Sequence, residues 1–287
     1  MCTAIFWHGV HPALLFVLAF NRDEFLDRPT EPAHFWESSP SVIAGRDKLS
    51  GGTWLGMTRT GRIAFLTNYR EGLSSLKPAD TVVSRGAIVT DFLESDVRPM
   101  EYLRGLECSK FQHFSLVVGD FVAMEFMYLN SMECTPTELA PGVHGFSNGG
   151  LDTTAWRKAA DGKRDLSAFL EQNTDPSALA PSVHDVVTAV LSSRQKTAED
   201  GIFPHTPNPP EAERNLSSIF IDKLNVKGRP YGTRSQTVIL LKPNGDTVFY
   251  EAHLDPSGAW LNQTNQFSIQ GVSNNSLCPW SPAREDK

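Results

Sequence analysis

The chain has 287 residues, of which 40% are hydrophobic and 21% are charged, and its formal net charge at pH 7 is −7. This composition is typical of a globular protein with one large domain or two small ones. A negative charge without any run of lysine or arginine argues against nucleic acid as the main partner and against a polybasic membrane anchor.

The chain starts with Met1 followed by Cys2. Because the cysteine side chain is small, methionine aminopeptidase is expected to remove Met1, which leaves a thiol and an α-amino group on one residue. The amine then accepts the thiol proton and the thiolate attacks a carbonyl carbon. The two groups titrate near ~8 and ~8.5, so this transfer costs little at neutral pH. The alternative is a small buried residue in the first strand.

The four cysteines are widely spaced, with no Cys-x-x-Cys pair and no Cys/His pattern typical of zinc. We therefore expect no metal and no disulfide framework, and free thiols suit a reducing compartment. The apolar run over residues 13–20 resembles a signal-peptide core, but no basic residue precedes it and no small-residue cleavage site follows. It is too short to span a bilayer. The expected location is cytoplasmic, with at most peripheral membrane contact.

The first seventy residues are predicted to be β. Residues 3–8 and 13–20 are apolar runs on either side of a Gly-Val-His-Pro turn signal, so they are predicted to form a hairpin. Continuous apolarity implies that both faces of these strands are buried. Further short strands are predicted over residues 41–44, 53–57 and 62–67.

Helices are predicted next, from apolar residues at helical spacing. They cover residues 84–95, 100–106, 154–172 and 182–193, with a hairpin over 113–128 that turns at Gly119-Asp120, and with turn-forming prolines between the last two helices. A proline-rich surface loop covers residues 200–215, and strands resume over 217–222, 237–241 and 247–252. This order predicts one domain over residues 1–255 with two sheets and outer helices. Residues 256–287 are predicted to be a polar, irregular tail.

Four consecutive polar residues, Asn21, Arg22, Asp23 and Glu24, follow the second predicted strand. Since a hairpin brings its two ends together, Cys2 and Asn21 are expected to be neighbours in space. An arginine here can fix a carboxylate and lower the pKa of a nearby thiol. The alternative is a cluster of salt bridges at the end of the strand.

Asparagine and arginine side chains recur at later predicted strand ends and turns. Asn68, followed by Tyr69, ends one strand, and Asn148 lies in a turn before a helix. An Asn amide in such a place can donate a hydrogen bond to a developing oxyanion, or it can simply stabilise the turn. Arg234 precedes a hydrophobic strand, where it could bind a carboxylate or a phosphate or lie on the surface.

Together these residues resemble the NRDE family, also called the transport and Golgi organisation protein 2 family. The resemblance covers about residues 1–255, and its most specific blocks are Asn21-Arg22-Asp23-Glu24-Phe25 and Gly51-Gly52-Thr53-Trp54-Leu55-Gly56. The other matching blocks are Met1-Cys2-Thr3, Arg28-Pro29-Thr30, Ala44-Gly45-Arg46-Asp47, Thr67-Asn68-Tyr69-Arg70, Ser147-Asn148 with Trp156, and Tyr231-Gly232-Thr233-Arg234-Ser235.

The resemblance implies an α+β, N-terminal-nucleophile hydrolase-like fold, which is a four-layer αββα sandwich of two antiparallel sheets. It is similar to the branch that contains penicillin V acylase, bile-salt hydrolase and acid ceramidase, in which an N-terminal cysteine attacks a non-peptide amide. Cys2 matches that cysteine. Arg22 and Asp23 lie in the region of that branch's orienting Arg and Asp, but they are adjacent here rather than three apart. Which of Arg22, Asp23 and Glu24 takes which role stays open.

The resemblance also implies roles for the later residues. Asn68 is similar to the oxyanion-hole asparagine, Asn148 to the second asparagine of the site and Arg234 to its late arginine. Asn21, Glu24 and Tyr69 are expected to contact the substrate. No metal and no cofactor is expected.

The family is associated with Golgi organisation, protein secretion, mitochondria, and lipid or haem homeostasis. The first functional hypothesis is an N-terminal cysteine amidohydrolase that acts on a small-molecule amide such as an N-acyl lipid. The second is a non-enzymatic factor whose cleft binds a lipid, acyl-CoA or haem for trafficking. The third is a purely structural scaffold, which leaves the clustered polar strand ends unexplained.

Overall fold

The computed structural model describes residues 1–9, 11–73, 76–174 and 182–272. Fourteen strands lie in this part of the chain: β1 (Cys2–His8), β2 (Phe16–Phe25), β3 (Thr30–Phe35), β4 (Val42–Asp47), β5 (Leu55–Thr58), β6 (Arg62–Asn68), β7 (Phe114–Asp120), β8 (Glu125–Asn130), β9 (Thr137–Glu138), β10 (Gly142–Phe146), β11 (Leu224–Val226), β12 (Arg229–Leu241), β13 (Asp246–Leu254) and β14 (Trp260–Ser268). The α-helices there are α1 (Gly86–Glu94), α2 (Pro99–Arg104), α3 (Arg157–Gln172), α4 (Val183–Val186), which continues as a π-helical turn over Val187–Leu191, and α5 (Pro210–Asn215).

The described strands form two seven-stranded antiparallel sheets. The first sheet has the order β10-β1-β2-β12-β13-β14, with β11 paired to β12, and the second sheet runs from β3 to β9 in chain order. The pairing of β2 with β12 joins the beginning of the chain to a segment more than two hundred residues later. The first sheet therefore brings early and late polar residues to one place.

The main core lies between the two sheets. Side chains alternate across a strand, so Phe16, Leu18 and Phe20 of β2 pack against residues of the second sheet. Val17 and Ala19 point the other way and pack against α3, α4 and the π-helical turn. Helices α1 and α2 cover the outer face of the second sheet in the same manner. The layers are helix, sheet, sheet, helix, which confirms the predicted α+β sandwich.

Several predicted boundaries were wrong. Residues Asn21 to Glu24 lie inside β2, which continues to Phe25, whereas the sequence placed them after the strand. Strands β3 and β10 were missed, and no strand forms over residues 217–222. Helix α5 forms within the predicted loop, and the β7–β8 turn falls after Asp120. The polar residues of β2 are tolerated in a strand because distant segments supply their hydrogen-bond partners.

The segment predicted to be an irregular tail contains β14, which pairs with β13 over nine residues at the edge of the first sheet. Most β14 side chains are exposed or half-buried. The strand is therefore held by backbone pairing rather than by an apolar face, and it lacks the alternation that predicts a strand. Residues 273–287, with Cys278, lie outside the described residues, as do the predicted turn residues 175–181.

The expectation that the cysteines are free was wrong for two of them. Cys108 and Cys134 form a disulfide with their Cα atoms 6.2 Å apart. The bridge ties the segment after α2 to the loop after β8. Their separation of 26 residues follows no motif, so only the fold brings the two thiols together. In the part of the chain that the structure describes, no helix is both long enough and apolar enough to cross a bilayer.

Candidate active site

Four side chains capable of acid–base or nucleophilic chemistry, or of anion binding, share one row across the first sheet. Cys2 of β1 lies directly opposite Arg22 of β2, and Asn21, its predicted neighbour, is opposite the next residue, Thr3. Arg22 is in turn opposite Ser235 of β12, and Ser235 is opposite His253 of β13. Arg22 is two residues from Phe20, so the row belongs to the sheet face that points toward the second sheet.

Cys2 borders a cleft of about 380 Å³ that opens between the two sheets. The residue is only 8% exposed, and burial raises the pKa of its thiol, although the neighbouring chain-terminal ammonium opposes the effect. Glu24 and Asn68 border the same cleft. The Ser147 hydroxyl donates a 2.8 Å hydrogen bond to the Cys2 carbonyl oxygen and holds the start of β1 in place.

Arg22 is fixed on three sides. Its Nη1 donates to the Thr30 hydroxyl at 2.9 Å and its Nη2 to Asp47 Oδ2 at 3.1 Å. Its guanidinium lies over the Trp54 ring, 3.8 Å from the ring centroid. The same Asp47 oxygen accepts from Arg28 Nε at 2.5 Å, so one carboxylate joins two arginines. A guanidinium held in this way presents a fixed positive charge opposite Cys2.

Asp23 directs its carboxylate to the other side of the sheet. Thr233 Oγ1 donates to its Oδ1 at 2.7 Å, and the Lys158 ammonium of α3 lies 3.4 Å from its Oδ2. Neither Asp23 nor Lys158 is more than 2% exposed. Burial raises the pKa of Asp23 in spite of the Lys158 ammonium. The charged groups of Arg22 and Asp23 therefore serve different faces of β2, and it is Arg22 that shares a face with Cys2.

The Met1 amine occupies a buried position beside Cys2. It donates to the Asp23 carbonyl oxygen and, at 2.8 Å, to the Tyr231 hydroxyl. Tyr231 also donates to the Asp23 carbonyl oxygen at 3.0 Å. Burial lowers the pKa of this amine. With Met1 present, the buried amine next to the cleft is thus that of Met1, and Cys2 contributes only an ordinary peptide nitrogen.

The two asparagines predicted for the site have different positions. Asn68 borders the cleft at the end of β6. Asn148 is fully buried, and its Nδ2 donates to the backbone carbonyl oxygen of Asn68 at 2.8 Å. Asn148 therefore holds the end of β6 and orients Asn68, and it is not among the described residues that border the cleft.

Two of the predicted substrate-contacting residues also lie elsewhere. The amide nitrogen of Asn21 donates to the carbonyl oxygens of Leu191 and Ile219 at 3.0 and 2.9 Å, on the helix side of the sheet. Tyr69 is half-buried, and its backbone N–H bonds to the His113 carbonyl oxygen at 2.9 Å. Neither borders the Cys2 cleft among the described residues. The third, Glu24, does: burial raises its pKa, but the chain-terminal ammonium and the Phe25 N–H outweigh this and the pKa is lowered.

Sequence reasoning missed one arginine of the cleft. Arg85 directly precedes α1, borders the Cys2 cleft, and donates from Nη1 to the His113 carbonyl oxygen at 2.9 Å. Burial lowers its pKa to about 10. It makes no ion pair with any described residue. The only signal in the sequence was an arginine at the start of a predicted helix, which is normally read as a solvated side chain.

A second cleft, of about 270 Å³, adjoins the first. Arg22, Arg28 and Trp54 border both clefts, and Arg234 and Glu251 border the second. Burial lowers the pKa of Arg234 to about 10 and raises that of Glu251 to about 7. Arg234 is therefore a buried cleft residue, and its predicted surface alternative was wrong. In the described ranges, no three His, Cys, Asp or Glu side chains are grouped so as to hold a metal ion.

The fold and the site define a class: an αββα sandwich in which a cysteine beside the chain start faces a fixed arginine across a polar cleft. The chain belongs to the Transport and Golgi organisation 2 family, whose sequence model matches residues 1–256. It is 33% identical to a transport and Golgi organization protein 2 homolog of Bos taurus over 94% of this chain and 100% of that one. Its identity to the Homo sapiens homolog is 31%, with the same coverage of both chains.

Solved structures of two hydrolases are also similar to this chain. A variant of conjugated bile acid hydrolase from Clostridium perfringens superposes with a TM-score of 0.43 and 10% identity, over 98% of this chain and 97% of the other. The Caenorhabditis elegans ortholog of N-acylethanolamine-hydrolyzing acid amidase gives a TM-score of 0.39 and 12% identity, over 83% and 92% of the two chains.

Proposed function

We propose that the protein hydrolyses a non-peptide amide through Cys2 after Met1 has been removed. The observation that carries the proposal is the position of Cys2, which borders a polar cleft directly opposite the fixed guanidinium of Arg22. The positive charge of Arg22 favours the thiolate of Cys2, which is the nucleophilic form.

The reaction would proceed in two stages. The Cys2 α-amine takes the thiol proton, and the sulfur forms a bond to the amide carbonyl carbon. The Asn68 amide supports the oxyanion of the tetrahedral intermediate. The C–N bond then breaks, the amine product leaves with the proton from the Cys2 ammonium, and a thioester remains. Water cleaves the thioester, which gives a carboxylic acid and restores the thiol.

The remaining polar groups would have supporting roles. Arg22 holds the thiolate, Asn148 orients Asn68, and the Tyr231 hydroxyl with the Asp23 carbonyl oxygen holds the free amine as they hold that of Met1. Relatives named for transport and Golgi organization support a cellular role in Golgi organisation and secretion. We also propose, from the resemblance, a cytoplasmic protein that associates with Golgi or mitochondria and acts in lipid or haem homeostasis.

Intact mass and covalent labelling test the proposal. The natively expressed protein should lack the mass of Met1 and should react with an electrophilic amide probe. Cys2→Ser and Cys2→Ala should both abolish labelling, while Cys278→Ala, the matched control, should label like the wild type. If the mature protein retains Met1, the proposal as stated is wrong. Undiminished labelling of both Cys2 variants would show that the probe reacts elsewhere.

The alternative is a binding factor that keeps Met1 and uses the same cleft for a lipid, acyl-CoA or haem. The buried hydrogen bonds of the Met1 amine favour it, because they give the retained residue a defined place. Palmitoyl-CoA and haem should then each be titrated against protein whose mass includes Met1. Saturable binding of either ligand supports this alternative. If neither ligand binds, the alternative loses its main support.

A further inference from the structure

Strand β12 has one more residue than β2 at the position of Arg234. The consecutive residues Arg22 and Asp23 of β2 pair with Ser235 and Thr233 of β12, and Arg234 between them has no partner. This is a β-bulge, a feature that bends a strand and redirects a side chain. The redirected side chain of Arg234 borders the second cleft.

Among the described residues, no carboxylate lies within ion-pair distance of Arg234. The residue is 8% exposed, and its Nη1 donates to the carbonyl oxygens of Phe25 at 3.0 Å and Arg28 at 2.6 Å. Its Nε and Nη2 make no hydrogen bond, and it forms no ion pair, with any residue that the structure describes. An arginine that is buried without a carboxylate leaves an uncompensated charge, which is costly unless something else neutralises it.

The adjacent hydroxyl is also unused. Ser235 is 5% exposed, borders the same cleft, and its Oγ has no hydrogen-bond partner among the described residues. Buried hydroxyls are normally hydrogen-bonded. Two neighbouring residues therefore offer donor groups to one cleft, and no acceptor for them is found in the described ranges.

The acidic residues nearby have other partners. Asp27 pairs with Arg229 at 2.6 Å and Glu31 with Lys48 at 2.8 Å, while Asp47 pairs with Arg22 and Arg28. Glu251 accepts from the Ala33 N–H at 2.7 Å, and its nearest basic side chain among the described residues is the His253 imidazole, at 3.9 Å. Asp255, which also borders this cleft, accepts from the Ser257 hydroxyl and the Ala259 N–H. None of these carboxylates lies within ion-pair distance of Arg234, which leaves its guanidinium available to an anion.

We propose that Arg234 and Ser235 form an oxyanion subsite, which binds a carboxylate or phosphate group of the ligand whose amide reaches Cys2. A guanidinium whose Nε and Nη2 are both unpaired suits either anion. The two clefts share Arg22, Arg28 and Trp54 as borders, so the subsite adjoins the Cys2 cleft. Strands are spaced about 4.8 Å apart, which puts Ser235 about 10 Å from Cys2 and sets the length of the ligand. The identity of the ligand, but not the subsite itself, rests on the proposed function.

Binding to the Cys2→Ala protein tests the subsite without turnover. Three amides with the same six-carbon chain serve as probes: N-acetylaminocaproate, acetamidohexyl phosphate and the neutral N-acetylaminohexanol. Their dissociation constants are measured by calorimetry or ligand-observed NMR. At least one anion should bind about tenfold tighter than the alcohol. The stronger of the two identifies the anion as carboxylate or phosphate.

Variants locate the effect. Arg234→Gln should remove the preference for the anion, and Ser235→Ala should weaken it about two- to fivefold. Arg104→Gln, at an exposed arginine of α2 that borders neither cleft, is the matched control and should change nothing. Equal binding of anion and alcohol, or a preference that survives in Arg234→Gln, overturns the proposal. If Arg234→Gln does not fold, the Ser235→Ala result decides. Failure here leaves the Cys2 labelling result unaffected, so the two proposals fail separately.

Discussion

Glu251→Gln should stabilise the protein at high pH and have little effect at low pH. Glu251 is 2% exposed, and burial raises its pKa from 4.5 to about 7, although the Ala33 N–H, Arg22 and Arg234 all oppose this. The folded state thus binds this proton more tightly than the unfolded state does, so stability falls as pH rises from about 4.5 to 7. Once Glu251 is fully ionised, the free energy of unfolding is about 3 kcal/mol lower than at low pH, at 1.36 kcal/mol per pKa unit.

The measurement is urea unfolding of the wild type and Glu251→Gln between pH 5 and pH 8. At pH 5 the two should be similar, because Gln keeps an acceptor for the Ala33 N–H. At pH 8 the variant should be more stable by up to about 3 kcal/mol. Glu31→Gln, at an exposed ion pair with Lys48, is the control and should show no such gain. A constant difference across the pH range, or a variant less stable at pH 8, would refute the reasoning.

Two further changes test buried contacts. Lys158→Met leaves the buried carboxylate of Asp23 without its ammonium and should lower the free energy of unfolding by about 3–5 kcal/mol. Lys48→Met, at an exposed lysine, is the control. An equal effect of the two substitutions would contradict the assigned pairing. Cys134→Ser removes the bridge to Cys108 and should cost about 2–4 kcal/mol. In that variant a reducing agent should have no further effect on urea unfolding, whereas a wild type insensitive to reduction would speak against the disulfide.

The sequence predicts the hairpin well because local signals specify it. Two apolar runs around one turn give β1 and β2 and bring Cys2 close to Asn21, as predicted. The turn signal did not specify the register, with His8 opposite Phe16, that pairs Cys2 with Arg22. The same reasoning placed Asn21 to Glu24 outside the strand, since four polar residues rarely continue a buried strand. The partner that makes this possible for Asp23 is Lys158, 135 residues away, and no local pattern connects the two.

The rest of the site depends on similar long-range contacts. Arg85 comes to the cleft only because α1 packs on the second sheet, and a single arginine before a helix gives no sign of this. Asn148 was placed in the site by resemblance, but its amide is used to hold Asn68. The bulge at Arg234 exists only as a mismatch between β2 and β12, so neither strand shows it alone.

Side chains along β2 point alternately to the two faces of the sheet. The number of residues between the hairpin turn and Arg22 is therefore more constrained than the identity of most of these residues. Deleting one residue between Phe20 and Arg22 would reverse the direction of every later side chain in the strand. The Asp23 carboxylate would then face Cys2, and the Arg22 guanidinium would be forced against Lys158. Composition and net charge would hardly change, yet the cleft would exchange a cation for an anion. We therefore expect length changes in this segment to be tolerated far less than single substitutions.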